Sequence, residues 1–213
     1  PVEIPISNDV RYFKEQLSAI LDKTKTASIA SLQLLAKNKR GVVFEKHNRR
    51  VRHYIGLMGH KLLLPPSIIE TFNRAALMHN SFKSVVLESV TKSSKELTGE
   101  NRARIEDDPY APAELTELFD FFSDERSILL YHHENFDGSG YPEGLEGDQI
   151  PMGARIFALV DAFVAMTSGQ SHKEKLTMEK ASIELEAYAG KQFDPKLVSI
   201  FLNIIAENGE LKI

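Results

Sequence analysis

The sequence predicts an all-α protein, and three observations carry that expectation. Apolar residues return every three or four positions along most of the chain, the spacing that lines one face of a helix. No stretch shows the strict apolar-polar alternation of a half-buried strand. Proline and glycine punctuate the periodic runs at Pro65-Pro66, along the stretch from Phe136 to Gly147, and at Gly190 and Pro195. With 213 residues and 42% hydrophobic composition, the chain is long enough for one well-buried core.

Taken in order, a first helix starts near Asn8 or Asp9, either of which can cap it, and carries Val10, Phe13, Leu17, Ile20 and Leu21. A second, separate run holds Ile29, Leu32 and Leu35. A third helix from about Phe44 to Leu64 places His47, Val51, Tyr54, Ile55, Met58 and Leu62 on one face and stops at Pro65. Pro66 suits the opening turn of a fourth, whose stripe of Ile68, Ile69, Phe72, Ala76 and Leu77 runs up to His79. Residues 91–112 read as a weakly structured loop around a short helix, followed by helices near Ala113 to Phe122 and Asp124 to Glu134. The stretch from Phe136 to Gly147 reads as a structured loop, Ile150 to Thr167 as a buried central helix, and Thr177 to Ala189 and Pro195 to Ile205 as two more, the last capped by Asp194.

Bulk charge narrows the function classes. A formal net charge of −4 and a pI near 6.0 give no general attraction to DNA or anionic membranes, so any phosphate must be recognised by a local cluster. No apolar run approaches the roughly 20 residues of a membrane span. Cysteine is absent, which excludes disulfides and thiolate metal sites and suggests a cytoplasmic home. Pro1 opens no signal-peptide pattern, and a chain beginning on proline is expected to follow a further upstream domain.

Without cysteine, metal chemistry falls to His, Asp and Glu. Of seven histidines, His47, His79 and the adjacent pair His132-His133 have neighbours that suit a metal site. His53, His60 and His172 read as ordinary surface or core residues. Asp161 sits in the apolar segment 155–166, where an uncompensated carboxylate is costly to bury. Either a salt bridge to Arg155 or a lysine, or a divalent cation, answers that cost. Imidazole and carboxylate donors together suit Fe, Mn, Zn, Ni or Co, and paired ions can clamp both oxygens in phosphoester hydrolysis. Ser81, Ser139 and Ser168 lack a nucleophile elbow, and no phosphate-binding P-loop occurs.

The block running from His132-His133 through Asp137-Gly138-Ser139-Gly140-Tyr141-Pro142 to Pro151 and Arg155-Ile156 resembles the signature of the HD-GYP family. The resemblance extends more weakly from about His47 to the C-terminus and implies an HD-superfamily helical bundle. It implies residues 41–213 as the HD-GYP domain, with 1–40 as an N-terminal helical segment or linker. It further implies a metal-dependent phosphodiesterase that opens cyclic di-GMP to pGpG or GMP, using divalent Fe, Mn or another transition metal.

Carried over residue by residue, the implied ligands are His47, His79, His132, His133 and Asp161, with Lys83 beside the metals and substrate phosphate. Several positions depart from the family. Asn80 stands where the family's His-Asp pair has a metal-bridging, catalytic aspartate, and Asp108 where a His-Pro ligand is usual. Val43 replaces a glutamate that supports a third ion in some members, and Val164 replaces a second aspartate of the Asp161 helix. For substrate, Gln170 and Lys173 occupy the ends of a segment that often reads Arg-Pro-Tyr-Arg/Lys, leaving one basic residue of the pair. The loop with Gly138, Gly140, Tyr141 and Pro142 implies contact with a GGDEF-domain protein, and Tyr141 also a ligand contact. These departures lead to the expectation of a degenerate site holding one or two ions, with catalysis weakened or lost. The chain then serves as a module binding a cyclic dinucleotide or a partner protein, or pairing as a homodimer. The alternative is an active phosphodiesterase. A bare helical scaffold would leave His132-His133 and Asp161 unexplained.

Overall fold

In the computed structural model, which describes residues 8–35, 41–93, 120–168 and 175–209, helices follow one another with no strand among the described residues. Helix α1 (Asn8–Leu35) is a single 28-residue helix, which corrects the expectation of two separate runs. The segment between them is polar but holds no proline or glycine to stop it. Its Thr24, Thr26 and Ser31 hydroxyls instead donate to the carbonyls of Ile20, Asp22 and Ala27 at 2.8–2.9 Å, bonds that are local to a helix.

Helix α2 (Gly41–Lys61) begins three residues earlier than the periodicity predicts. It buries the expected face, with His47, Val51, Tyr54, Ile55 and Met58 all 4% exposed or less. Helix α3 (Pro66–Ser93) opens on proline as expected but runs well past His79, so residues 91–93 continue it, at the start of the stretch expected as a loop around a short helix. The helix expected near Ala113 lies largely outside the described residues, and a 3-10 turn covers its end at Asp120–Phe122. Helix α4 (Ser123–Tyr131) then leads directly into His132.

Helix α5 (Met152–Ser168) is the centre of the bundle. Ala154, Ile156, Phe157, Leu159, Val160, Phe163 and Val164 are each 1% exposed or less, and α2, α3, α4 and the last two helices pack around it. Helix α6 (Met178–Ala187) starts from Thr177, whose hydroxyl accepts from the Lys180 amide. Helix α7 (Pro195–Asn208) is capped as predicted, Asp194 accepting from the amides of Lys196 and Leu197. Tyr54, Phe163 and Phe201 meet edge-on at 5.1–5.6 Å and lock α2, α5 and α7 together. Burying such rings fully makes truncation of any one cost about 3–5 kcal/mol.

A second, smaller cluster of Ile29, Met78, Phe122 and Leu129 attaches α1 to α3 and α4. Beside it lies a charge cluster that the sequence did not announce. Glu125, fully buried, accepts from Lys25 Nζ at 3.2 Å and from Arg74 Nε at 2.6 Å. Arg74 also reaches Asp22 at 3.5 Å. The cluster ties α1, α3 and α4 at one point, and each buried charge has a partner of opposite sign, the condition for burying charge at all.

Candidate metal and nucleotide site

The histidines singled out from sequence converge on one corner of the bundle. His47 lies on α2, His79 on α3, and His132-His133 at the end of α4, so three elements deliver them. His79 and His132 meet edge-on with ring centroids 4.7 Å apart, and His132 and His133 lie at 3.9 Å. Phe157 of α5 packs edge-on against both His79 and His132, at 5.1 and 5.3 Å. One turn further along α5, Asp161 accepts a hydrogen bond from His47 Nε2 at 2.8 Å. Phe157 and Asp161, four residues apart, share a helix face, so α5 is the spine to which both histidine groups attach.

Of the partners open to Asp161, this geometry removes Arg155. Arg155 turns away to Asp148 at 2.6 Å and Asp194 at 2.8 Å, joining the start of α5 to the cap of α7. Six residues along a helix amount to about 600° of rotation, which puts Arg155 on a different face from Asp161. Asp161 is also 26% exposed rather than sealed in the core, so burial asks less compensation of it than the sequence suggests.

The tautomer of His132 is set by the backbone. Its Nδ1 donates to the Leu129 carbonyl at 2.8 Å, which sets the tautomer and makes Nε2 the basic nitrogen, an arrangement usual for metal-binding imidazoles. The donor types suit a divalent transition ion. Among the described residues, however, no three His, Asp or Glu side chains stand together in an arrangement that holds an ion. The His47–Asp161 pair and the His79–His132–His133 group are adjacent rather than merged. The backbone of Asn80 and Lys83 belongs to α3, while their side chains lie outside the described residues, as do Asp108, Gln170, His172 and Lys173 altogether. Among the histidines set aside, His60 is exposed and His53 half-buried against Tyr54, its pKa lowered by burial.

The glycine-rich loop is held against the histidines. Tyr141, 44% exposed, stacks on the His133 ring with centroids 5.0 Å apart and planes 18° from parallel, and its amide donates to the His133 carbonyl. Gly140 has no room for a side chain, since a Cβ there would lie 2.2 Å from the Asn135 amide nitrogen. Gly138 and Gly144 take positive φ of 78° and 68°, conformations other residues resist. The Tyr141-Pro142 peptide is cis.

Two residues that shape this corner escaped the sequence reading. Glu134, 3% exposed, follows His133 directly and accepts from the amides of Glu143, Gly144 and Leu145 at 2.7–3.1 Å, pinning the far side of the loop. Its place immediately after the histidine pair is the only signal available in the sequence. Arg50, one turn after His47 on α2, donates to Thr167 at 2.8 Å and Ser168 at 2.5 Å and so ties α2 to the end of α5. It could have been found as an arginine on the apolar face of its helix.

Comparison with known proteins places these features in a family. A profile described as the HD domain matches residues 30–197. The cyclic di-GMP phosphodiesterase response regulator RpfG of Xanthomonas campestris pv. campestris is 36% identical over 72% of this chain and 41% of its own length. A 3'3'-cGAMP-specific phosphodiesterase 2 of Vibrio cholerae is 31% identical over 73% of this chain and 30% of its own. The chain thus spans less than half the length of these relatives. Among solved structures, an HDG"Y"P protein from Bdellovibrio bacteriovorus superposes with a TM-score of 0.61 at 17% identity, covering 87% of this chain and 63% of that one, and so shares the fold. No described helix is long and apolar enough to cross a membrane.

Proposed function

The chain belongs to the HD domain family, in its HD-GYP branch, and on that premise we propose that it is a cyclic-dinucleotide signalling module whose phosphodiesterase activity is weakened or lost. The observation that carries this reading is Asn80, directly after His79 on α3, where the resemblance calls for a bridging aspartate. An amide is neutral and a poor bridge between two cations. Glu134, which follows the histidine pair in sequence, is no substitute, because it is committed to three backbone amides. Replacement of the usual His-Pro ligand by Asp108 and of a basic residue by Gln170 supports the same reading from sequence.

Metal dependence is typical of HD-domain phosphodiesterases. In this reading His47, His79, His132, His133 and Asp161 would supply the donors for one Fe, Mn or similar ion, with Asn80 and Asp108 the weak positions at which a second is lost. A bound ion supplies Lewis acidity and an acidified water to phosphoester cleavage. The chain's own contribution is to orient imidazoles, His132 through Leu129 and His47 through Asp161, and to bring Tyr141 over His133 as a flat surface for a base or a partner. Lys83 and Lys173 supply positive charge for phosphate, and Gln170 a neutral hydrogen-bonding group. The loop around Gly138, Gly140, Tyr141 and Pro142 is the surface for a GGDEF-domain protein. Residues 41–213 form the signalling domain and 1–40 its N-terminal helical segment, and the cysteine-free chain works in the cytoplasm.

An active phosphodiesterase is the second reading, favoured by the relatives named above and by the retained histidines; cyclic GMP-AMP is then an alternative substrate to cyclic di-GMP. The Asn80→Asp variant separates the two. Under the proposal it gains bound metal, read by elemental analysis, and gains hydrolysis of cyclic di-GMP by at least tenfold. No change in either quantity would count against an impaired site at position 80.

A further inference from the structure

Helix α1 presents an apolar stripe that the rest of the bundle does not use. Phe13, Leu17 and Ile20 are 67%, 58% and 60% exposed, and Leu21 beside them is 42% exposed. Their spacing of four and three continues through Thr24 and Ala27, the alternation of positions a and d in a heptad. The face that meets the bundle is a different one. Asp22 bridges to Arg74, Lys25 to Glu125, and Ile29 enters the small core cluster. At 100° per residue these three centre about 145° away from the stripe, so the seam points outward while the charge cluster holds the helix in place.

We propose that this seam is a dimer interface, in which α1 pairs with α1 of a second copy of the chain in a two-stranded coiled coil. A seam of this spacing is complementary to itself about a two-fold axis. Its area fits as well. At roughly 200 Å² for a large apolar side chain, the exposed parts of Phe13, Leu17, Ile20 and Leu21 come to about 450 Å² per chain, the size of the largest apolar patch on a monomer, which is often functional. Two copies bury roughly 900 Å² from these residues alone, and the flanking Lys14, Gln16 and Thr24 bring the total to the roughly 1,000–1,200 Å² at which specific interfaces begin. In a parallel pair the flanking positions face one another as Gln16 with Leu21 and Lys23 with Ser28, with no like charges opposed. The interface reaches the histidine corner through Glu125, because the residue that holds Lys25 of α1 also holds Arg74 of the helix that carries His79.

Light scattering coupled to size-exclusion chromatography tests this on the 213-residue chain. The expected result is a doubled mass that depends on concentration, lost in Leu17→Asp/Ile20→Asp and kept in Ile183→Asp, an equally exposed residue elsewhere. The chain has no cysteine, so Leu17→Cys gives an independent readout and should form an intermolecular disulfide under mild oxidation, as Ile183→Cys should not. A monomer at all concentrations, a dimer untouched by the double variant, or equal cross-linking at the two cysteine positions would each overturn the proposal.

Discussion

Two corners of the bundle are each built around acidic side chains, and they handle them in opposite ways. Where α1 meets α3 and α4, Glu125 is fully buried and enclosed by Lys25 and Arg74, which are buried with it. At the histidine corner, Asp161 stays 26% exposed and meets an imidazole. Glu134 is buried there, but against neutral backbone amides. The first corner is matched charge for charge and serves architecture. The second pairs one partly exposed carboxylate with His47 and sets three further imidazoles in a group of their own, side chains that the proposed site draws on.

The comparison is broken most severely at Glu125. Glu125→Ala takes the shared carboxylate from two buried cations, leaving Arg74 only its longer contact with Asp22, and should cost about 3–5 kcal/mol of stability, read as a fall in the urea midpoint. The stacking of Tyr141 on His133, followed by the chemical shifts of the two rings, should persist in the folded fraction. A loss below 1 kcal/mol would mean that Lys25 and Arg74 are solvated and the corner is not closed.

Glu134→Gln sharpens the other side. It keeps an acceptor but removes the charge that three amides share, a loss of about 1.5–3 kcal/mol confined to the loop. Hydrogen exchange at Glu143, Gly144 and Leu145 should accelerate while the helices keep their protection. Protection lost evenly across the bundle would show that the loop is part of the core's cooperative unit.

The smallest effect is a pH dependence at His53. Burial lowers its pKa below the ordinary imidazole value, so as pH falls below about 6.5 the unfolded chain takes up a proton that the folded chain refuses. Stability therefore declines toward acid across the interval from that value down to the folded pKa, and is unaffected above it. His53→Gln should flatten that part of the curve. An unchanged slope would place the titration elsewhere.

Much of the fold was legible because burial here follows helical spacing, as with Val51, Tyr54 and Met58 on α2 or the run along α5. The errors came where spacing carries no information. The polar stretch of α1 between Leu21 and Ile29 looked like an interruption, yet it contains no residue that stops a helix. Arg155 looked like a partner for Asp161 because it is near in sequence, although the helix turns it to another face. Of the candidate site, the convergence of His47, His79, His132 and His133 was visible through the resemblance. The roles of Glu134 and Arg50 were not, since their partners are backbone amides and hydroxyls that only the folded chain brings near.

The central claim is that Asn80 leaves the histidine corner short of a second metal and therefore of catalysis. It is tested most directly by elemental analysis of the unmodified chain, purified without chelators, beside a cyclic di-GMP turnover assay supplied with Mn(II) and Fe(II). At most one ion per chain and no turnover is the predicted result. Two ions per chain with multiple turnovers would contradict it and make the chain a phosphodiesterase.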